Sequence, residues 1–225
     1  MKLVKFFLLF TLFLMCFSNI AMAELGFNYL ERSSYSILTD WHDHEYTLIE
    51  GLSSGASGLF HQDLSSTRFG VEAHSYHHSL IENTDGVLAI NGNFNAQIVY
   101  PFSYVISPYP QTRNAITLIF SCTNPVNYTL EVQSAGYQTK NLEIFRIDGG
   151  NESFEDIQLT SGEYTSSGHL PGPGVYQIKV EYDIAILPGD FMTETGSMDF
   201  VFVATEEGTV ATESQSWNQV KTLFR

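Results

Sequence analysis

The stretch Tyr176-Gln-Ile-Lys-Val-Glu-Tyr-Asp-Ile-Ala-Ile186 decides the fold class. Tyr176, Ile178, Val180, Tyr182, Ile184 and Ile186 fall on every second position, and Gln177, Lys179, Glu181 and Asp183 stand between them. A period of two places one set on each face of an extended strand, so this segment reads as a strand with one buried face. Tyr128, Leu130 and Val132 repeat the pattern against Thr129, Glu131 and Gln133. Met198 to Val203 is apolar on both faces except at Asp199, which suits a central strand. Further strands are expected over 26–30, 35–39, 44–50, 68–77, 87–93, 95–106, 115–122 and 142–147.

Gly- and Pro-containing turns separate these runs: Asp85-Gly86, Asn91-Gly92, Asp148-Gly149-Gly150, Ser161-Gly162, Pro171-Gly172-Pro173-Gly174 and Pro188-Gly189. Many short strands without alternating helices predict an all-β, antiparallel sandwich of jelly-roll or Ig-like type. The region before Asn114 is less regular. An irregular part over 24–113 beside a sandwich over 114–204 is the second way to divide the domain 24–204.

Both ends read differently. Lys2 and Lys5 precede the apolar run Phe6 to Phe17, and Ala21-Met22-Ala23 supplies the small residues of a cleavage site. Residues 1–23 are therefore expected to be a signal peptide, with export to the periplasm, cell surface or medium. The apolar run is too short for a comfortable membrane span, and no later segment approaches one. Residues 205–225 read as a linker followed by an amphipathic tail. Ser216-Trp217-Asn218-Gln219 fits a helix capping box, and Trp217, Val220 and Phe224 share one face of the expected short C-terminal helix.

The whole chain carries a net charge of −15, and the two leader lysines leave the remainder more acidic still. Such a field repels phosphate backbones, which argues against nucleic acid as a partner. Only Cys122 lies outside the leader, so no internal disulfide is expected, and its apolar strand makes it a buried small hydrophobe.

At Asn124-Pro-Val-Asn-Tyr-Thr-Leu130 and Ser167-Gly-His-Leu-Pro-Gly-Pro-Gly-Val-Tyr176 the chain resembles β-sandwich modules of secreted bacterial proteins of the PEP-CTERM and choice-of-anchor type. The resemblance covers roughly 115–204. It implies a secreted bacterial sandwich and carries no assigned activity or site residues. The defining Pro-Glu-Pro signal is missing, and the chain ends instead in Trp-Asn-Gln-Val-Lys-Thr-Leu-Phe-Arg225.

Four patterns invite chemistry. Gly51-Leu-Ser-Ser-Gly55 matches the G-x-S-x-G elbow of serine hydrolases, with Ser53 as nucleophile, but Ala56-Ser-Gly-Leu-Phe60 does not read as the helix the elbow needs. Six of seven histidines lie between His42 and His78. His42 and His44 would share one strand face, and His74, His77 and His78 could join them if the segments were neighbours. No set is assigned to a metal. Asp148-Gly-Gly-Asn-Glu152 and Asn83-Thr-Asp-Gly86 place oxygen ligands on turns, so calcium is the one cofactor weighed, and none is expected. Tyrosines such as Tyr76 and Tyr109 could stack on sugar rings if exposed. The reading that results is a non-catalytic interaction module, not an enzyme, whose partner is a protein or polysaccharide surface. A carbohydrate-binding module is the alternative, and a Ser53 hydrolase stands third.

Overall fold

The computed structural model describes residues 25–39, 46–54, 57–68, 70–84, 86–100, 109–136, 139–150, 152–159, 161–186 and 193–208. Within them the period-two pattern becomes twelve strands: β1 (Gly26–Thr39), β2 (Tyr46–Ser54), β3 (Gly58–Arg68), β4 (Val71–Thr84), β5 (Val87–Val99), β6 (Tyr109–Cys122), β7 (Val126–Ala135), β8 (Thr139–Arg146), β9 (Ser153–Gln158), β10 (Gly162–Leu170), β11 (Gly174–Ala185) and β12 (Thr193–Glu206). They form two six-stranded sheets, ordered β2-β1-β6-β11-β8-β9 and β10-β7-β12-β5-β4-β3. Every pairing is antiparallel. We call them sheet A and sheet B.

The two inner faces share one apolar core. Tyr176, Ile178, Val180, Tyr182 and Ile184 of β11 are all buried in it, opposite Phe94, Phe200 and Phe202 of sheet B. Cys122 lies buried there too, and burial pushes its thiol up. Each sheet holds strands from both sides of residue 114, the earlier ones grouped at one side and the later ones at the other, joined by the β1–β6 pairing in sheet A and the β5–β12 pairing in sheet B. The division at 114 is therefore not a boundary between sheets or cores.

Three expectations are corrected. Asn91-Gly92 is not a turn: the segments split there form the single strand β5, in which Gly92 sits opposite Phe200. A Cβ on Gly92 would lie 2.2 Å from Phe200 Cε1, so the glycine makes room for a ring rather than a reversal. The expected strand over 68–77 contains a turn, since Gly70 has φ of +80° and separates β3 from β4. The linker does not begin at Thr205, because β12 continues through Glu206. Buried Glu206 accepts hydrogen bonds from the Thr123 amide (2.9 Å), the Thr123 hydroxyl (2.9 Å) and the Asn124 amide (2.6 Å). The tail where a short helix was expected lies outside the described residues, as does the leader, and the described residues contain no helix.

The core under β1, β3, β4 and β6 is polar, which the sequence did not announce. Ser34 Oγ lies 3.0 Å from Ser75 Oγ, Ser75 donates to Asn114 Oδ1 (3.0 Å), and Ser36 donates to the Ala73 carbonyl (2.8 Å). His77 is fully buried between Phe60 and Phe94, with ring centroids 4.6 Å away on each side. Its Nδ1 lies 3.1 Å from the Ser33 carbonyl and its Nε2 3.0 Å from Ser79 Oγ. Mutual hydrogen bonding is what lets these groups sit inside a sandwich.

Candidate functional site

The pleat of β4 sorts its residues. Ser75, His77 and Ser79 point inward, while His74, Tyr76 and His78 point to solvent on the outer face of sheet B. The three histidines weighed as joint ligands are therefore split between two faces and form no set. His42 and His44 lie outside the described residues. Among the described residues no three His, Cys, Asp or Glu side chains converge as a metal site.

What the outer face does assemble is a cluster of flat rings. β3 brings His61 opposite His78, and β4 places Tyr76 one row away. The His61 centroid lies 5.3 Å from that of Tyr76 and 5.8 Å from that of His78, edge-on to both. Tyr76 and His78 are inclined by only 27°, 6.5 Å apart. Beside them His74 Nε2 and Asp63 Oδ1 are 2.5 Å apart. Burial, and then the neighbouring His61, hold the His78 pKa below the ordinary histidine value. The His78 ring therefore favours the neutral, stacking state near neutral pH.

Polar side chains continue the surface across the sheet. Register sets His78 opposite Asn93, Asn93 opposite Asp199, and Tyr76 opposite Asn95. Asn95 Nδ2 donates to Asn93 Oδ1 (2.6 Å), and Asn93 Nδ2 donates to Asp199 Oδ1. A bank of rings flanked by oriented amides and a carboxylate can stack on a flat apolar surface and exchange hydrogen bonds with hydroxyls at the same time. Leu59, which is 63% exposed, stands opposite Leu80 at the rim. Tyr76 was anticipated as an exposed aromatic, whereas His61 and the amide row were missed. A one-dimensional reading does not know which strands are neighbours.

The outer face of sheet A holds a second polar feature. Glu31, Ser33, Tyr35, Arg113, Thr117 and Glu181 surround a shallow groove of about 190 Å³. Its charges are already matched: Arg113 donates to Glu181, and Lys179 Nζ lies 3.0 Å from Glu181 Oε2. Burial pushes Asp183 up to about 6 against the pull of Arg113, with Glu181 repelling it further. This network neutralises itself and is the weaker candidate. Tyr109 lies half-buried at the start of β6.

The remaining patterns place as follows. Ser53 belongs to the β1–β2 ladder, paired with Arg32, rather than to a strand-to-helix elbow. Asp148 is bound by Arg146 Nε at 2.6 Å, and this bond holds its carboxyl below the usual range, which leaves a poor cation ligand. Asn83 Nδ2 donates to the Leu25 carbonyl. Asn151 and Asp85 lie outside the described residues.

No family model matches the chain, and no curated protein matches it. Among solved structures it is similar to a CBM4 structure at 8% identity and TM-score 0.26, over 56% of this chain and 89% of that one. It is also similar to the enzymatically active domain of tailspike protein 4 from bacteriophage CBA120, at 12% identity and TM-score 0.26. That match covers 56% of this chain and spans 19% of the tailspike domain's chain. A third similarity is to infectious bursal disease virus Gx strain, at 12% identity and TM-score 0.23, over 84% and 71% of the two chains. At these scores none of the likenesses carries weight for fold or function, which rest on the geometry above.

Proposed function

We propose that this chain is an exported, non-catalytic binding module that engages polysaccharide through the outer face of sheet B. The observation that carries the reading is the cluster of Tyr76, His61 and His78 beside the Asn95–Asn93–Asp199 row. Flat rings match the apolar faces of pyranose units, and fixed amides match their hydroxyls, a combination that a protein-binding patch does not need. Ser53 in a regular ladder supports binding over hydrolysis. Affinity electrophoresis in gels containing neutral or uronic polysaccharides tests the reading. Retardation is expected with at least one polymer, and Tyr76→Ala should weaken it about ten-fold while leaving the fold intact. Unretarded migration in every polymer, or retardation indifferent to Tyr76→Ala, refutes it. Ser53-dependent ester turnover would replace it with the hydrolase.

A further inference from the structure

Among the described residues four strands lie at sheet edges: β2 and β9 in sheet A, β3 and β10 in sheet B. An edge strand offers unpaired amides and carbonyls to any second strand, and proteins blunt such edges with lysine, proline, bulges or short length. β9 is blunted, with six residues and a register shift at Ile144/Phe145. β2 and β3 follow one another in the chain and lie in contact across the two sheets, closing that side of the sandwich. Among the described residues β10 has none of these protections. It runs nine residues, Gly-Glu-Tyr-Thr-Ser-Ser-Gly-His-Leu, in unbroken register with β7, without lysine, arginine or proline.

Its sequence is also complementary to itself. Two antiparallel copies centred on Ser166 would set Glu163 opposite His169, Tyr164 opposite Gly168 and Thr165 opposite Ser167. Glu163 and His169 are exposed on the same outer face and would form two carboxylate–imidazole pairs, one on each side of the axis. His169 Nδ1 lies 3.1 Å from Asn127 Oδ1 and 3.7 Å from Glu207 Oε1, while its Nε2 makes no hydrogen bond among the described residues. Tyr164 is held inward by a 3.0 Å hydrogen bond to Glu155 Oε2, and Gly168 is already covered within its own sheet by Tyr128, whose hydroxyl would lie 2.4 Å from a Cβ there.

We propose that β10 is a self-association edge, through which two copies of this chain join antiparallel about Ser166 into a continuous twelve-stranded sheet. The dimer carries both ring clusters on one face. Nine strand spacings separate one β4 from the other, a span of roughly 40 Å before twist is counted. A long polymer could then occupy both faces at once and gain avidity. The dimer itself does not depend on the polysaccharide reading.

Sedimentation velocity on the purified chain, from micromolar to near-millimolar concentration, tests the edge without any ligand. A concentration-dependent dimer is expected. Glu163→Lys and His169→Glu should each weaken it about ten-fold or more, and the double variant should restore it. Mixing Thr165→Cys with Ser167→Cys chains under mild oxidation should trap the heterodimer, with far less cross-linking within either variant alone. A monomer at every concentration overturns the proposal. So does a dimer indifferent to the charge variants, or one that fails to cross-link in this register. Slow hydrogen exchange along β10 in a monomer would assign the edge to another segment of the same chain and likewise overturn it.

Discussion

Substituting Gly92 with alanine tests the packing that overrode a turn signal. A Cβ at Gly92 would stand 2.2 Å from Phe200 Cε1 and 2.5 Å from Cζ, against a comfortable carbon–carbon contact of about 3.5–4 Å. The ring must move by more than about 1 Å to relieve this. Phe200 is almost wholly buried and packs edge-on against Phe94 at 5.5 Å, so there is little free space to receive it. Overpacking of this kind costs about 1–3 kcal/mol, and disturbing the aromatic pair adds roughly 0.5–1 kcal/mol. Removing a strand glycine returns about 0.5–1 kcal/mol through the unfolded state. The net expectation is a loss of about 2 kcal/mol in urea unfolding at unchanged slope. In a Phe200→Leu background the same substitution should cost under about 0.5 kcal/mol, which leaves a coupling of roughly 1.5–2 kcal/mol. If Gly92 were needed for a reversal of the chain, its replacement would cost the same with either residue at 200. Equal cost in both backgrounds, or no cost in the parent, refutes the reasoning.

Two ionisable groups should give opposite pH dependences. Asp183 has its folded pKa raised to about 6, so the folded state holds that proton more tightly, and stability falls as pH rises from about 4 to 6. The ceiling is about 3 kcal/mol, reduced by solvent screening to roughly 1 kcal/mol for a side chain 29% exposed. Asp183→Asn should therefore be the more stable protein at pH 7.5 and gain nothing at pH 4 by thermal denaturation; a variant less stable at pH 7.5 contradicts this. His77 is the reverse case: burial depresses its pKa to about 3, so stability is lost as pH falls below its ordinary value of 6.5. His77→Phe should move the acid-unfolding midpoint to lower pH by circular dichroism, and an unmoved midpoint would show that other groups set acid lability.

Some of the site was legible before any coordinates. Tyr76 stood out as an aromatic that could be exposed, and the alternation of β11 assigned Tyr176 and Tyr182 to the core, where both are buried. The irregular look of the first half has a plain cause. Inward positions in the middle of β1 and β4 include Arg32, Ser34, Ser36, Ser75, His77 and Ser79, so a search for alternating apolar residues breaks off there. These residues are buried because they bond one another across the two sheets, from β1 to β4 and, through Ser36 and Ser66, to β3. That partnership is invisible along the chain.

The period of two, the turn residues and the length of the runs determined by themselves that this protein is antiparallel sheet with one face of each strand inside. A strand's two faces follow from pleating alone, which is a local property of the backbone. Tertiary structure decided which strands are neighbours. It thereby decided that His61, fifteen or more residues from Tyr76 and His78, joins them in one ring cluster, and that Asn93 reaches Asp199 across more than a hundred residues. It also decided that Gly92 lies beneath Phe200 instead of at a bend. Register between distant strands depends on the summed fit of two whole faces, and no short stretch of sequence contains that sum.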